Sequence, residues 1–113
     1  MKWFHGTQIE SCQSILKHGF VTHDGSYGKG VYATSSREGA CIFGSSILQL
    51  VISDEYVTYF NFEEMKEEQI DDDFWINEVN QMGIQAIAMK YISGEIELII
   101  YDPSIIQEVS IIN

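Results

Sequence analysis

Short runs of β-branched and aromatic residues, each cut off by glycine or a polar cluster, recur along this chain and leave space for only a few helices between them. Lys2 to His5 reads as a first strand, broken by Gly6-Thr7, and Val31-Tyr32-Ala33-Thr34 as a second. Ile47 to Phe60 reads as one long strand or a hairpin, interrupted at Ser53-Asp54-Glu55. Ile84 to Met89, Ile96 to Tyr101 and Val109 to Ile112 add three more, with Ser93-Gly94 turning between the first two. Ile9, Cys12, Ile15 and Leu16 fall at helical spacing. With Thr7 as N-cap, Glu10 three residues later and Gly19 as a left-handed C-cap, they predict a helix over Gln8 to His18. A short helix begins near Ser36. An acidic stretch, Glu63 to Glu68 and Asp71 to Asp73, leads into an amphipathic helix with Phe74, Ile76 and Val79 facing in and Gly83 stopping it. At least five short strands with two or three helices make the chain α+β.

The 113 residues suit one domain, 1–113. At 45% hydrophobic with a single proline, the chain can bury a core. No apolar run approaches the ~20 residues that cross a bilayer, and the N-terminus lacks a secretory apolar segment, so a cytoplasmic protein with no membrane partner is expected. The net charge of -11 argues against non-specific nucleic-acid binding. That charge is unevenly spread: Lys2, Lys17, Lys29 and Arg37 outweigh Glu10, Asp24 and Glu38 by one in residues 1–50, which leaves -12 for residues 51–113. An anionic small ligand therefore belongs on the first half. The acidic run at the helix start reads first as a solvated face that complements the helix dipole. Cys12 and Cys41 match no metal spacing and are expected reduced and partly buried.

Three segments set a polar or small residue beside a strand end: Phe4-His5-Gly6-Thr7, Tyr27-Gly28-Lys29-Gly30-Val31-Tyr32-Ala33, and Glu95-Ile96-Glu97-Leu98-Ile99-Ile100-Tyr101-Asp102. Taken singly, each has an ordinary structural reading: His5 a satisfied histidine, Tyr32 core, Glu97 exposed. Gly28 and Gly30 around Lys29 lack the spacing and the Ser/Thr of a phosphate-binding P-loop.

In this order the three segments resemble the ADP-ribosyltransferase superfamily, in its diphtheria-toxin-like and poly(ADP-ribose) polymerase-like branch, which is marked by a His-Tyr-Glu triad. His5 in FHGT, Tyr32 in YGKGVYAT and Glu97 in ELIIYD carry the match, and SILKHGF resembles the family's helix and Gly-Phe turn. The resemblance spans nearly the whole chain, with residues 45 to 90 matching in outline only. It implies a split pair of small antiparallel sheets with flanking helices and an NAD-binding cleft between them. NAD is the implied co-substrate, bound by His5, Gly6, Thr7, Tyr32 and Phe43, with His5, Tyr32 and Glu97 as the catalytic set. His5 would hydrogen-bond the adenosine ribose, the Gly6 backbone would hold the nicotinamide carboxamide, and Tyr32 and Phe43 would sandwich the ring. A serine often found three residues before the second aromatic corresponds here to Ala40, so one hydrogen bond to the amide is missing.

The chemistry of these residue types agrees. A flat ring with a carboxamide needs aromatic faces and a close backbone. Cleavage of the nicotinamide-ribose bond builds positive charge on the ribose, where a carboxylate such as Glu97 is worth most once that charge has developed. Glu95, two residues away, shares the face of Glu97 by strand periodicity. An E-x-E pair resembles the arginine-modifying members, in which the first glutamate positions the acceptor; the competing reading of Glu95 is a solvated residue at the turn. The expected activity is transfer of ADP-ribose to a macromolecular acceptor, protein rather than nucleic acid, by a phage or mobile-element effector. Two alternatives stand beside it: an NAD glycohydrolase with water as acceptor, and a non-catalytic acidic inhibitor of a nucleic-acid-handling protein. The tRNA 2′-phosphotransferases share the implied fold but rely on basic residues, of which this chain offers few.

Overall fold

A computed structural model describes residues 1–68 and 72–112, and among these the chain forms seven strands and four α-helices. In order they are β1 (Lys2–Thr7), α1 (Ile9–His18), β2 (Val31–Thr34), α2 (Arg37–Cys41), β3 (Ser46–Val51), β4 (Val57–Asn61), α3 (Phe62–Glu67), α4 (Asp72–Met82), β5 (Ala86–Lys90), β6 (Ile96–Ile100) and β7 (Glu108–Ile111). The expected α+β class holds. The acidic stretch is itself partly helical: α3 starts from Asn61, whose side chain accepts from the Glu63 N–H, and Glu64, Glu67 and Glu68 are exposed as a solvated face requires. Asp71 lies outside the described residues.

The strands join in the order β4-β5-β6-β2-β1-β3-β7. All neighbours are antiparallel except β4 and β5, which run parallel. A single mixed sheet thus replaces the expected pair of antiparallel sheets. Its weak point is the seam between β1 and β2, which are registered only at Phe4↔Thr34, whereas β1 and β3 pair along all six residues from Lys2 to Thr7. Ile47 to Phe60 is neither one strand nor a hairpin. A 3-10 turn at Asp54–Tyr56 ends the first half, and β4 crosses to the far edge beside β5.

Strand alternation sorts the core into two layers. Ala86, Ala88, Leu98 and Ile100 join Trp3, Leu48 and Leu50 on the face covered by α1, where Cys12 is buried and Ile15 packs. Ile87, Met89 and Ile99 join Tyr27 and Trp75 on the other face, under α3 and α4. The apolar faces of both helices are narrower than their spacing suggests. Ile9 and Leu16 of α1 are exposed, and on α4 it is Trp75 that is buried while Ile76 is exposed, with Phe74 packed at the rim. A tryptophan reaching the aromatic cluster of Tyr27, Phe60 and Phe74 sets the rotation of α4.

Two local expectations fail for reasons visible in the ladder. Thr7 does not cap α1, because it stays in β1 opposite Ser46; Gln8 occupies the cap position without a side-chain hydrogen bond. Cys12 and Cys41 are both free, but Cys41 is exposed rather than part-buried. Gly19 ends α1 as expected, at φ 87° with its N–H on the Ile15 carbonyl. No helix among the described residues is long and apolar enough to cross a membrane.

Candidate active site

The site follows from the seam. Beyond Phe4↔Thr34 the two strands have no further register, and a cavity of about 300 Å³ opens there. His5 and Gly6 of β1, Tyr32 and Thr34 of β2, Glu97 of β6 and Phe43 after α2 all line it, with Asp24, Gly25 and Ser26 from the preceding loop. A second cavity of about 480 Å³ shares His5, Gly6 and Tyr32 and extends along α1 past Ser11, Ser14 and Phe20. Volumes of this order suit a small-molecule ligand. Of the residues expected to bind, His5, Gly6, Tyr32, Phe43 and Glu97 meet in the first cavity, Thr7 lines only the second, and Glu95 lines neither.

His5 is fixed from two sides. Its Nδ1 donates to the Tyr32 carbonyl at 2.6 Å, and its ring meets Phe20 edge-on at 5.3 Å. Since a carbonyl can only accept, the Nδ1 carries the proton. Burial holds the imidazole below its usual pKa against the opposing pull of that hydrogen bond, and His23 pushes the same way as burial. His5 is therefore neutral at pH 7, and its Nε2 is an acceptor suited to a sugar hydroxyl.

The Tyr32 hydroxyl donates to the Gly28 carbonyl at 2.6 Å and accepts from the Tyr27 N–H at 3.0 Å. These bonds lock the ring to its own loop, and the loop lies close on it: a Cβ at Gly25 would stand 2.4 Å from the ring carbon that bears the hydroxyl. Only glycine lets the backbone rest there.

Phe43 is delivered by an equally close approach. A Cβ at Gly6 would meet the Ala40 carbonyl oxygen at 1.8 Å, and one at Gly44 would meet the Thr7 carbonyl oxygen at 2.3 Å. The missing side chain at Gly6 thus makes room for α2, which was not foreseen, and Ala40 is fully buried at that contact. Phe43 itself is 62% exposed, a large apolar ring standing over the cavity with solvent around it.

Glu95 is engaged elsewhere. Its two carboxylate oxygens accept from the Ser36 hydroxyl at 2.9 and 3.1 Å, while that hydroxyl accepts from the Gly39 N–H as the N-cap of α2. Glu95 is thereby tied to the helix that carries Phe43, and it is not free in solvent.

Glu97 is half-buried beneath the cavity, opposite Thr34 on β2 and Met89 on β5. Burial raises its pKa, and the Tyr91 hydroxyl, which donates to Oε1 at 3.3 Å, partly offsets that. A carboxylate so placed reacts strongly to positive charge appearing nearby, because little water screens it.

Reading the sequence missed Asp24, Gly25, Ser26 and Thr34 as lining residues, and it missed Tyr27 and Tyr91. The Tyr27-Gly28 pair stood inside a quoted motif, but nothing local links Tyr91 to Glu97; only the β5–β6 turn does so. All lining residues of both cavities except Glu97 come from the first half of the chain, where an anionic ligand was expected, yet none is Lys or Arg. No protein-family model matches the chain, and no curated protein matches it either.

Proposed function

We propose that this protein is an NAD+-dependent ADP-ribosyltransferase of the His-Tyr-Glu type, with the fold of that superfamily. The observation that carries the reading is the convergence of His5, Gly6, Tyr32, Phe43 and Glu97, taken from three distant segments and the turn after α2, on one cavity. The parted seam between β1 and β2 supports the fold assignment, since it divides the sheet into two leaves around the cleft.

In this reading the adenosine half lies in the larger cavity, with a ribose hydroxyl donating to His5 Nε2, and the nicotinamide ring lies between Tyr32 and Phe43. Ser11, Ser14, Thr7 and His23 line the larger cavity and offer hydrogen bonds to the pyrophosphate in place of a cationic clamp. The C1′–N bond breaks with its electron pair going to the nicotinamide nitrogen, and neutral nicotinamide leaves. Glu97, hydrogen-bonded to the 2′-hydroxyl, stabilises the oxocarbenium-like ribose. A nucleophile then adds at C1′ and loses its proton. The net charge of -11 favours a cationic protein as acceptor over nucleic acid.

One observation favours a second reading, NAD+ hydrolysis. Glu95, the carboxylate expected to orient a guanidinium, is bound to Ser36 instead, and water needs no such guide. The test is incubation of the purified protein with NAD+ and a cell lysate, followed by mass spectrometry. Transferase activity adds the mass of ADP-ribose to a protein and releases nicotinamide; hydrolysis releases both nicotinamide and free ADP-ribose. No nicotinamide release at millimolar NAD+ rejects both readings and returns the non-catalytic inhibitor.

A further inference from the structure

Four tyrosines converge on the loop segment Tyr27-Gly28 behind the cavity. Tyr27 is buried, its ring edge-on to Trp75 at 5.3 Å, and its hydroxyl lies 2.5 Å from that of Tyr91. Tyr91 stacks at a tilt on Phe62 at 4.9 Å and reaches Glu97 Oε1 at 3.3 Å. Tyr101 donates to the Tyr27 carbonyl at 2.5 Å, and Tyr32 accepts from the Tyr27 N–H. Neither Tyr27 nor Tyr91 lines the cavity of Glu97, so no ligand there needs to touch them.

We infer that Tyr91 is the positioning residue of Glu97 and is itself held by Tyr27, so that a hydrogen-bonded tyrosine pair orients the carboxylate from behind the cavity wall. This rests on the assignment of Glu97 as the catalytic carboxylate. Each phenol has one proton. When Glu97 is ionised, Tyr91 gives its proton to Oε1 and must accept from Tyr27, so the chain points toward the carboxylate. When Glu97 is protonated, the chain can reverse, with Glu97 donating to Tyr91 and Tyr91 to Tyr27. Such chained donors polarise one another, and the outer hydroxyl therefore matters to a carboxylate that it does not touch. Trp75 and Phe62 fix the two rings, which keeps the donor aimed without help from solvent.

The other titratable or charged groups near Glu97 are few. Tyr32 on β2, His5 on β1 and Asp24 on the loop share its cavity. On β5 it faces Met89, and Lys90 alternates to the far face beside Ile96; Glu95 is bound to Ser36. No cation among the described residues is hydrogen-bonded to the Glu97 carboxylate, and the Tyr91 hydroxyl is the donor that favours its charged form.

The experiment is an NMR titration of the 13C-labelled Glu97 carboxyl in the ligand-free full chain, for the wild type and for Tyr91→Phe, Tyr27→Phe and Tyr101→Phe. Loss of the Tyr91 donor should move the Glu97 midpoint upward by about half to one pH unit. Tyr27→Phe, which keeps the ring against Trp75, should move it a smaller distance in the same direction, and Tyr101→Phe should leave it in place. In the active protein the acidic limb of the NAD+ cleavage profile should move upward by the same amount, with KM unchanged. A folded Tyr91→Phe that titrates like the wild type overturns the inference; if that variant does not fold, an unmoved midpoint in Tyr27→Phe does so. Shifted midpoints in the variants of a protein that never cleaves NAD+ remove the enzyme and keep the tyrosine pair. An active wild type with unmoved midpoints removes the pair and keeps the enzyme.

Discussion

His5 and Tyr32, on neighbouring strands that are barely paired, are joined across the gap by a 2.6 Å hydrogen bond from an imidazole Nδ1 to a main-chain carbonyl. A side chain here does what a strand ladder does elsewhere. The same bond fixes the tautomer, which leaves Nε2 as the acceptor for a ligand hydroxyl.

Binding of NAD+ should therefore depend on pH through His5. Burial depresses its pKa from the ordinary 6.5, so the midpoint of protonation lies below that value, and protonation abolishes the acceptor at Nε2. Affinity should hold above that midpoint and fall as pH drops through it. The fold follows the same sign: a group buried neutral contributes stability above its unfolded pKa, and this is lost as pH falls toward the folded one. His5→Ala should raise KM with a smaller effect on kcat, and should flatten the acidic loss of affinity seen by calorimetry.

Phe43→Ala should weaken NAD+ binding several-fold and leave the melting temperature almost unchanged. The ring is 62% exposed and so contributes little to the core, while aromatic stacking on a ligand is worth ~0.5–1.5 kcal/mol beyond area burial. Unchanged affinity in the folded variant takes Phe43 out of the site.

Glu97→Gln should cut turnover by a factor on the order of 10² or more with NAD+ affinity nearly intact, since the charge acts in the transition state. It should also stabilise the fold at neutral pH. The folded pKa of Glu97 is raised by burial above the ordinary 4.5, so its ionisation opposes folding as pH rises through the window above that value. Glutamine removes that penalty. Thermal melts of the two proteins at pH 4 and pH 7.5 should differ more at the higher pH.

Much of this cavity was legible in the sequence because His5, Tyr32 and Glu97 belong to short β-runs, where a residue's type and its neighbours say what the strand presents. Tyr32 and Glu97 lie one residue inside the starts of β2 and β6, His5 lies within β1, which runs on through Gly6-Thr7 rather than breaking there, and the cavity gathers all three. The sheet was less legible. Nothing in Ile47 to Phe60 says that β4 leaves β3 for the opposite edge, since both halves have the same β-rich composition and strand order is set by long-range pairing. Gly6 has a second role that the sequence does not show: the partner that excludes a Cβ there is Ala40, and only the tertiary structure brings them together.

Ser36→Ala should cost more stability than Glu95→Ala, because it removes both the cap on Gly39 and the bond to Glu95, whereas Glu95→Ala leaves the cap in place. Loss of the cap in Ser36→Ala should cost about 1 kcal/mol of stability, and both variants should raise KM for NAD+ by loosening the helix that leads to Phe43. If Glu95 instead positions an arginine acceptor, the two variants part: Glu95→Ala loses transfer and keeps hydrolysis, whereas Ser36→Ala retains both. A transfer assay scored beside a hydrolysis assay separates these outcomes.

The solitary Phe4↔Thr34 pair has a mechanical meaning. Each leaf of the sheet is stiffened by its own ladder, β1-β3-β7 on one side and β2-β6-β5-β4 on the other, so bending strain between them concentrates at that pair and at the His5–Tyr32 hydrogen bond. In the proposed reading, the nicotinamide of NAD+ wedged into the gap would brace both leaves and take on the work of an absent strand. Its amide-bearing edge then counts for as much as its ring, and amide proton exchange at Phe4 and Thr34 is where that bracing would first be felt.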